Sequence, residues 1–255
     1  MEFTPIRTVG FATIVCFVCS IFVAGAAVGL KDRQIENEIL DRQKKVLDVA
    51  GLLSKEIVSD IDQIKKAYNE RVQPVLVDLK PEGCKDQDPN TFDQQKFAKN
   101  PKTSTDVIGN KAKVRRTPNC AKIFNIKSSD AKGIETVILP VEGKGLWSTL
   151  YGFIALDPNG IDIKGLTFYK HAETPGLGGE VDNPKWKAQW KGKKAFKTGS
   201  AIPALYVKKG TADDEYSVNG LSGATITSNG VTNLLQFWLG EKGFGPYLNT
   251  LKGGK

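Results

Sequence analysis

The stretch LSGATITSNG, residues 221–230, sets four hydroxyl residues, Ser222, Thr225, Thr227 and Ser228, among small residues just ahead of the apolar run VTNLLQFWLG. Gly223 and Ala224 let a ligand approach the backbone closely, and a helix that follows aims its free amides and positive dipole end at the same spot. The chemistry this favours is capture of a phosphate by amides and hydroxyls, with no lysine required. The plainer reading is a strand-to-helix turn in which Gly223 supplies an unusual backbone angle and Ser228 or Asn229 caps the helix. A serine-nucleophile elbow wants Gly-x-Ser-x-Gly, and Gly220, Ser222 and Ala224 put alanine in its last place. Such a hydrolase would also need His171, the chain's one histidine, as base.

A second stretch, HAETPGLGGE (residues 171–180), packs Gly176, Gly178, Gly179 and Pro175 into a tight loop with exposed amides, and Leu177 offers an apolar contact. By themselves His171, Glu173 and Glu180 read as polar loop residues. A third, GKGLWSTLYGF (residues 143–153), places Trp147 and Tyr151 at even spacing, on one face of a strand. Such aromatics commonly pack the sheet. Together with two glycine loops they also suit a flat aromatic cofactor with a phosphate tail.

The elements that must hold these stretches follow from pattern and punctuation. Ile35, Ile39, Val46 and Ala50, then Ile57, Ile61, Ile64 and Tyr68, recur at near-helical spacing, so residues 31–70 read as amphipathic helical segments. RVQPVLVDL is extended, with Pro74 closing any helix before it. Residues 80–118, broken by Pro81, Pro89, Pro101 and Pro118, read as a surface excursion. From Ala121 onward, runs of β-branched and aromatic residues alternate with turns, DPNG at 157–160 marking a hairpin. NPKWKAQW reads as a short helix with Pro184 in its first turn, and ALYVKKG and YSVNGLSG as short strands. The fold class is α+β: one transmembrane helix, then a soluble domain with an antiparallel sheet flanked by helices.

Residues 9–30 carry no charge and are long enough to cross about 30 Å of hydrocarbon as a helix, behind an N-terminal tail of residues 1–8. The run exceeds a signal-peptide core, which favours a retained anchor over a cleaved leader ending near Ala24–Ala26. Arg7 precedes the span, whereas Lys31, Arg33, Arg42, Lys44 and Lys45 follow it, a bias that by count alone places the large domain in the cytoplasm. The net charge of +8 is dispersed among acids, which argues against nucleic acid as a partner. Cys16 and Cys19 lie in the span, where small apolar packing outweighs a metal role for CxxC. Cys84 and Cys120 are either one disulfide or two free thiols.

Taken together, SGATITS, HAETPGLGG and GKGLW resemble the FMN-binding domain family, in the membrane-anchored form that serves sodium-translocating NADH:quinone oxidoreductases as their C subunit. SGAT matches the end of the flavinylation motif Asp-x-x-Ser/Thr-Gly-Ala-Thr/Ser, with Asn219 standing where the motif has Asp. The resemblance implies a domain over residues 71–255 with FMN joined covalently, by a phosphoester bond, to Thr225. It implies a recognition turn of Ser222, Gly223 and Ala224 with Thr227 beside it, and Glu173, Thr174, Leu177 and Gly178 against the flavin with Trp147 nearby. It further implies a periplasmic domain, against the charge count. The protein would relay electrons from NADH towards ubiquinone in sodium export, with no catalytic acid, base or metal site of its own. Its partners would be the other membrane and peripheral subunits and, during maturation, a flavin transferase. The rival readings are the G subunit of the related ferredoxin-dependent complex and a non-redox anion-binding module.

Overall fold

The computed structural model describes residues 4–58, 60–130 and 132–253. The chain forms two compact units, Met1–Arg42 and Gln43–Lys255. The first holds α1 (Pro5–Gly29), whose 18-residue apolar window has a mean hydropathy of 2.5. Its 25 residues span about 37 Å, more than a bilayer core needs. The helix starts four residues before the uncharged run, with Pro5 in the first turn, where a missing amide is harmless. Hydropathy marks the lipid-compatible stretch rather than the helical backbone. No α1 side chain is buried, Cys16 and Cys19 included. Next comes α2 (Lys31–Val49), exposing Ile35 and Ile39 and burying Val46, Leu47 and Val49.

In the second unit α3 (Lys55–Val58) and α4 (Ile61–Arg71) lead into β1 (Val72–Asp78). Asp60 caps α4 through the Asp62 amide, and Ile64 points into the core. The main sheet is antiparallel throughout, in the order β1, β4 (Cys120–Lys127), β5 (Ile134–Lys144), β6 (Thr149–Leu156), β7 (Ile163–Lys170). Pro74 lies in the edge strand β1, the position where a sheet tolerates proline. The Asp157–Gly160 turn joins β6 to β7, its Asn159 side chain accepting the Ile161 amide at 2.8 Å.

Period-two alternation gives this sheet two buried faces. Val137, Leu139 and Val141 of β5 stand opposite Leu156, Ile154 and Gly152 of β6. The apolar members of that set share a core with Leu234, Leu235 and Trp238 of α7 (Thr225–Leu239). The Trp238 indole donates to the Glu142 carbonyl at 2.7 Å, fixing α7 against β5. On the other face Phe153 stacks on Tyr169 at 4.9 Å and meets Phe124 edge-on at 5.7 Å.

Residues 80–118 contain α5 (Gln94–Lys99) and the paired strands β2 (Ser104–Asp106) and β3 (Arg116–Pro118). They bury Phe92, Val107, Ala112 and Val114. Elements of three to six residues are too short to show a period, so this stretch had no pattern to read. Cys84 and Cys120 form a disulfide with Cα atoms 4.8 Å apart, tying the stretch to the first residue of β4. Beyond the sheet come α6 (Pro184–Ala188), capped by Asn183, and β8 (Tyr206–Lys208) paired in parallel with β9 (Ser217–Asn219). After α7 comes α8 (Gly245–Gly253).

Candidate functional site

Glu173 joins the three stretches that the sequence singled out. It is buried, 5% exposed, and its carboxylate receives four hydrogen bonds. Oε1 accepts the Trp147 and Ser148 amides at 3.0 and 3.1 Å, and Oε2 accepts the Leu146 amide at 3.1 Å and the Thr227 hydroxyl at 2.6 Å. Burial alone would push this carboxyl up. The Thr227 hydroxyl and the Ser148, Leu146 and Trp147 amides outweigh it and hold the group below its ordinary value.

The loop carrying Glu173 is pinned from both sides. The Ala172 amide donates to the Ser148 hydroxyl at 2.7 Å, and the Leu177 and Gly179 amides both donate to the Thr174 carbonyl. His171 accepts the Glu173 amide at Nδ1, 3.2 Å, which leaves Nε2 to donate to Asp182 at 2.8 Å. Burial pushes Asp182 up, but its bond to His171 and nearby Lys45 pull it below the ordinary carboxylate value. With both ring nitrogens engaged, His171 is no base for Ser222.

The second glycine stretch meets α7 at its first turn. α7 starts at Thr225, several residues before the expected capping pair, because Ser228 lies inside the helix and its hydroxyl accepts the Leu221 amide at 3.1 Å instead. Ala224 is the residue before the helix, and no side chain caps it. The opening of a 15-residue helix therefore presents uncapped amides beside exposed Ser222, Gly223 and Thr225. Thr227 faces the other way, fully buried, with its hydroxyl given to Glu173.

Four large apolar side chains are exposed on the three stretches. Leu146, Trp147, Leu177 and Ile226 are 42%, 66%, 45% and 58% exposed. Trp147 lies in the turn after β5 rather than on a strand face, because β5 ends at Lys144 and Glu173 holds residues 146–148 in a turn. Tyr151, on β6, packs with Tyr169 at 6.2 Å instead. Leu177 reaches Gly223: a side chain there would begin 2.9 Å from Leu177 Cδ2. Thr174 is exposed on the same loop as Leu177, and Gly178 is buried beneath it. Sequence reasoning missed Leu146 and Ser148, because nothing in a local pattern announces contacts that close over 25 to 27 residues, and it missed exposed Ile226 beside Thr225. Asn219 lies at the end of β9. Its carbonyl oxygen accepts the Trp186 indole, its side chain accepts the Ala212 amide at 2.7 Å, and its amide donates to Gln189.

An uncapped helix start suits a phosphate, an exposed hydroxyl stands at the same point, and exposed apolar residues offer a surface to a flat ring; these residues fit FMN. The class is that of an FMN-binding domain, and the model of the FMN-binding domain family matches residues 145–240, covering residues 171–180 and 221–230 in full and the third stretch from residue 145 onward. The chain is 44% identical to the C subunit of the Na(+)-translocating NADH-quinone reductase of Yersinia pestis, over 97% of this chain and 93% of that one. It is 45% identical to the same protein of Pasteurella multocida strain Pm70, over 94% and 92%. Among solved structures, NqrC of Shewanella oneidensis superposes with a TM-score of 0.75 at 35% identity, covering 83% of this chain and 96% of that one. The corresponding protein of Parabacteroides distasonis gives 0.64 at 26% identity, covering 87% and 96%. The chain belongs to the NqrC family, the C subunits of Na(+)-translocating NADH-quinone reductases.

Proposed function

We propose that this chain carries FMN as a phosphoester on Thr225 and passes electrons along a sodium-translocating NADH:quinone reductase. The observation that carries the reading is the exposed Thr225 hydroxyl at the first residue of an uncapped 15-residue helix. Ser222, Gly223 and the first amides of α7 receive the phosphate, and the helix dipole favours its charge. Leu146, Trp147, Leu177 and Ile226 offer the apolar surface against which the ring lies, with Thr174 on the adjoining loop. When bound, FMN supplies reversible one- and two-electron transfer. The chain's own task is to hold, orient and partly desolvate it. A tethered cofactor needs no enclosing cavity, so its edge stays open to electron partners, which are the other subunits of the complex. A flavin transferase makes the bond. α1 anchors the protein, and the Gln43–Lys255 unit faces the periplasm, where the Cys84–Cys120 disulfide is at home.

Co-expression with a flavin transferase, followed by intact-mass measurement and peptide mapping, tests the attachment. The expected result is the mass of FMN less one water on the peptide containing Thr225. Thr225→Val removes the adduct with the fold intact, and Thr225→Ser keeps it at least in part. Flavin still attached after Thr225→Val overturns the assignment.

A further inference from the structure

We infer that Glu173 is a positioning residue: its carboxylate preassembles the cofactor site by fastening the β5–β6 turn to Thr227 of α7, and it touches no cofactor itself. The part of this that concerns flavin rests on the function proposed above. An ionised carboxylate has about four acceptor positions. Leu146 N, Trp147 N, Ser148 N and Thr227 Oγ1 occupy them at 2.6 to 3.1 Å. At 5% exposure no capacity or access remains for a ring, a phosphate or a proton in transit. The surroundings are shaped to this carboxylate. A Cβ on Gly145 would lie 2.7 Å from Oε1, and one on Gly178 would lie 2.9 Å from Oε2 and 2.6 Å from Thr227 Oγ1. Glycine at both positions is the condition for the four bonds to form.

The consequence lies at the surface. Leu146 and Trp147 expose large apolar side chains on a short turn, and side-chain packing there is too thin to fix them. Their backbone is fixed instead, by three consecutive amides converging on one charge, while the Lys144 ammonium donates to the Trp147 carbonyl at 3.0 Å. The same carboxylate holds Thr227, two residues from Thr225. Glu173 thereby sets the distance between the aromatic turn and the point of attachment before any cofactor arrives.

Hydrogen–deuterium exchange on the full-length chain in detergent tests this without flavin, using Thr225→Val as background. Adding Glu173→Gln replaces a charged acceptor by an amide that can serve only part of the donor set. Exchange at Leu146–Ser148 should rise at least about tenfold, since each bond to a charged group contributes about 1.5 to 3 kcal/mol. Thr227→Val, which removes one bond of four, should give a smaller rise. Amides of β6 and β7 should not change. Unaltered exchange at residues 146–148 in Glu173→Gln overturns the proposal. With Thr225 restored and a flavin transferase present, Glu173→Gln should carry several-fold less FMN mass. The modified fraction should show a raised midpoint potential, because a negative charge near the site is gone. Full modification at an unshifted potential overturns the positioning role. Absence of flavin from the unsubstituted chain overturns the flavin reading and leaves the exchange result standing on its own.

Discussion

Glu142 lies on β5 opposite Tyr151, in a cleft of about 360 Å³ whose other walls are α5 and residues 113–116. Unlike Glu173, it has not been given a set of converging amides. Burial pushes its carboxyl up to about 7, with Lys99 pulling weakly the other way. A carboxyl raised on folding binds its proton more tightly in the native state. The native state is therefore favoured at low pH, and that advantage is lost as pH rises from the unfolded value, near 4.5, through about 7. Glu142→Gln should thus raise the melting temperature at pH 8 and leave it nearly unchanged at pH 4. The gain has an upper bound of about 3 kcal/mol. Melting curves across that range check it, and an equal effect at both ends would refute the assignment to Glu142. Glu173, held below its ordinary value, has the opposite sign: its contribution is present at neutral pH and declines as the solution is acidified through its folded value.

At the scale of elements, the turn before α7 depends on backbone shape as much as on side chains. Gly223 has φ of +70°, in the left-handed region, and Leu177 stands where a side chain would go. Gly223→Val therefore combines a conformational cost of about 1–3 kcal/mol with a clash. It should abolish mass addition at Thr225 while circular dichroism of the sheet is retained; full modification would show that the turn is not required in this shape. The sheet was legible because period two and turn residues are local: the 157–160 hairpin, the Pro184 helix and both short strands fell where pattern put them. The start of α7 was not, because Ser228 looks like a cap until its partner is known to be Leu221, seven residues back. Nor was Trp147's place in a turn, which depends on a carboxylate 26 residues away. Motif residues picked out three stretches that the fold brings together. Glu173, read as one more residue against the flavin, gave no local sign that its carboxylate accepts hydrogen bonds from the other two stretches.

For the whole molecule, the disulfide ties stability to compartment. Cys84 and Cys120 close 36 residues of chain, which in the chain-entropy view limits the unfolded state by about 4 kcal/mol. Cys84→Ser with Cys120→Ser should lower the melting temperature by about 10 °C in a unit of this size, and reductant should do the same to the native sequence. The same bond reports topology. The cations flanking α1 favour a cytoplasmic domain, but long domains cross despite such bias. Cytosolic thiols are kept reduced, whereas the periplasm lets a structural disulfide persist. Whole cells quenched in acid, denatured and treated with a maleimide of known mass should show Cys84 and Cys120 unlabelled without reductant and both labelled after it. Cys16 and Cys19, free on α1, should be labelled either way and serve as the internal standard. Four labels before reduction would place the Gln43–Lys255 unit in the cytoplasm. The charge count would then stand, and Cys84 and Cys120 would be free thiols in the cell.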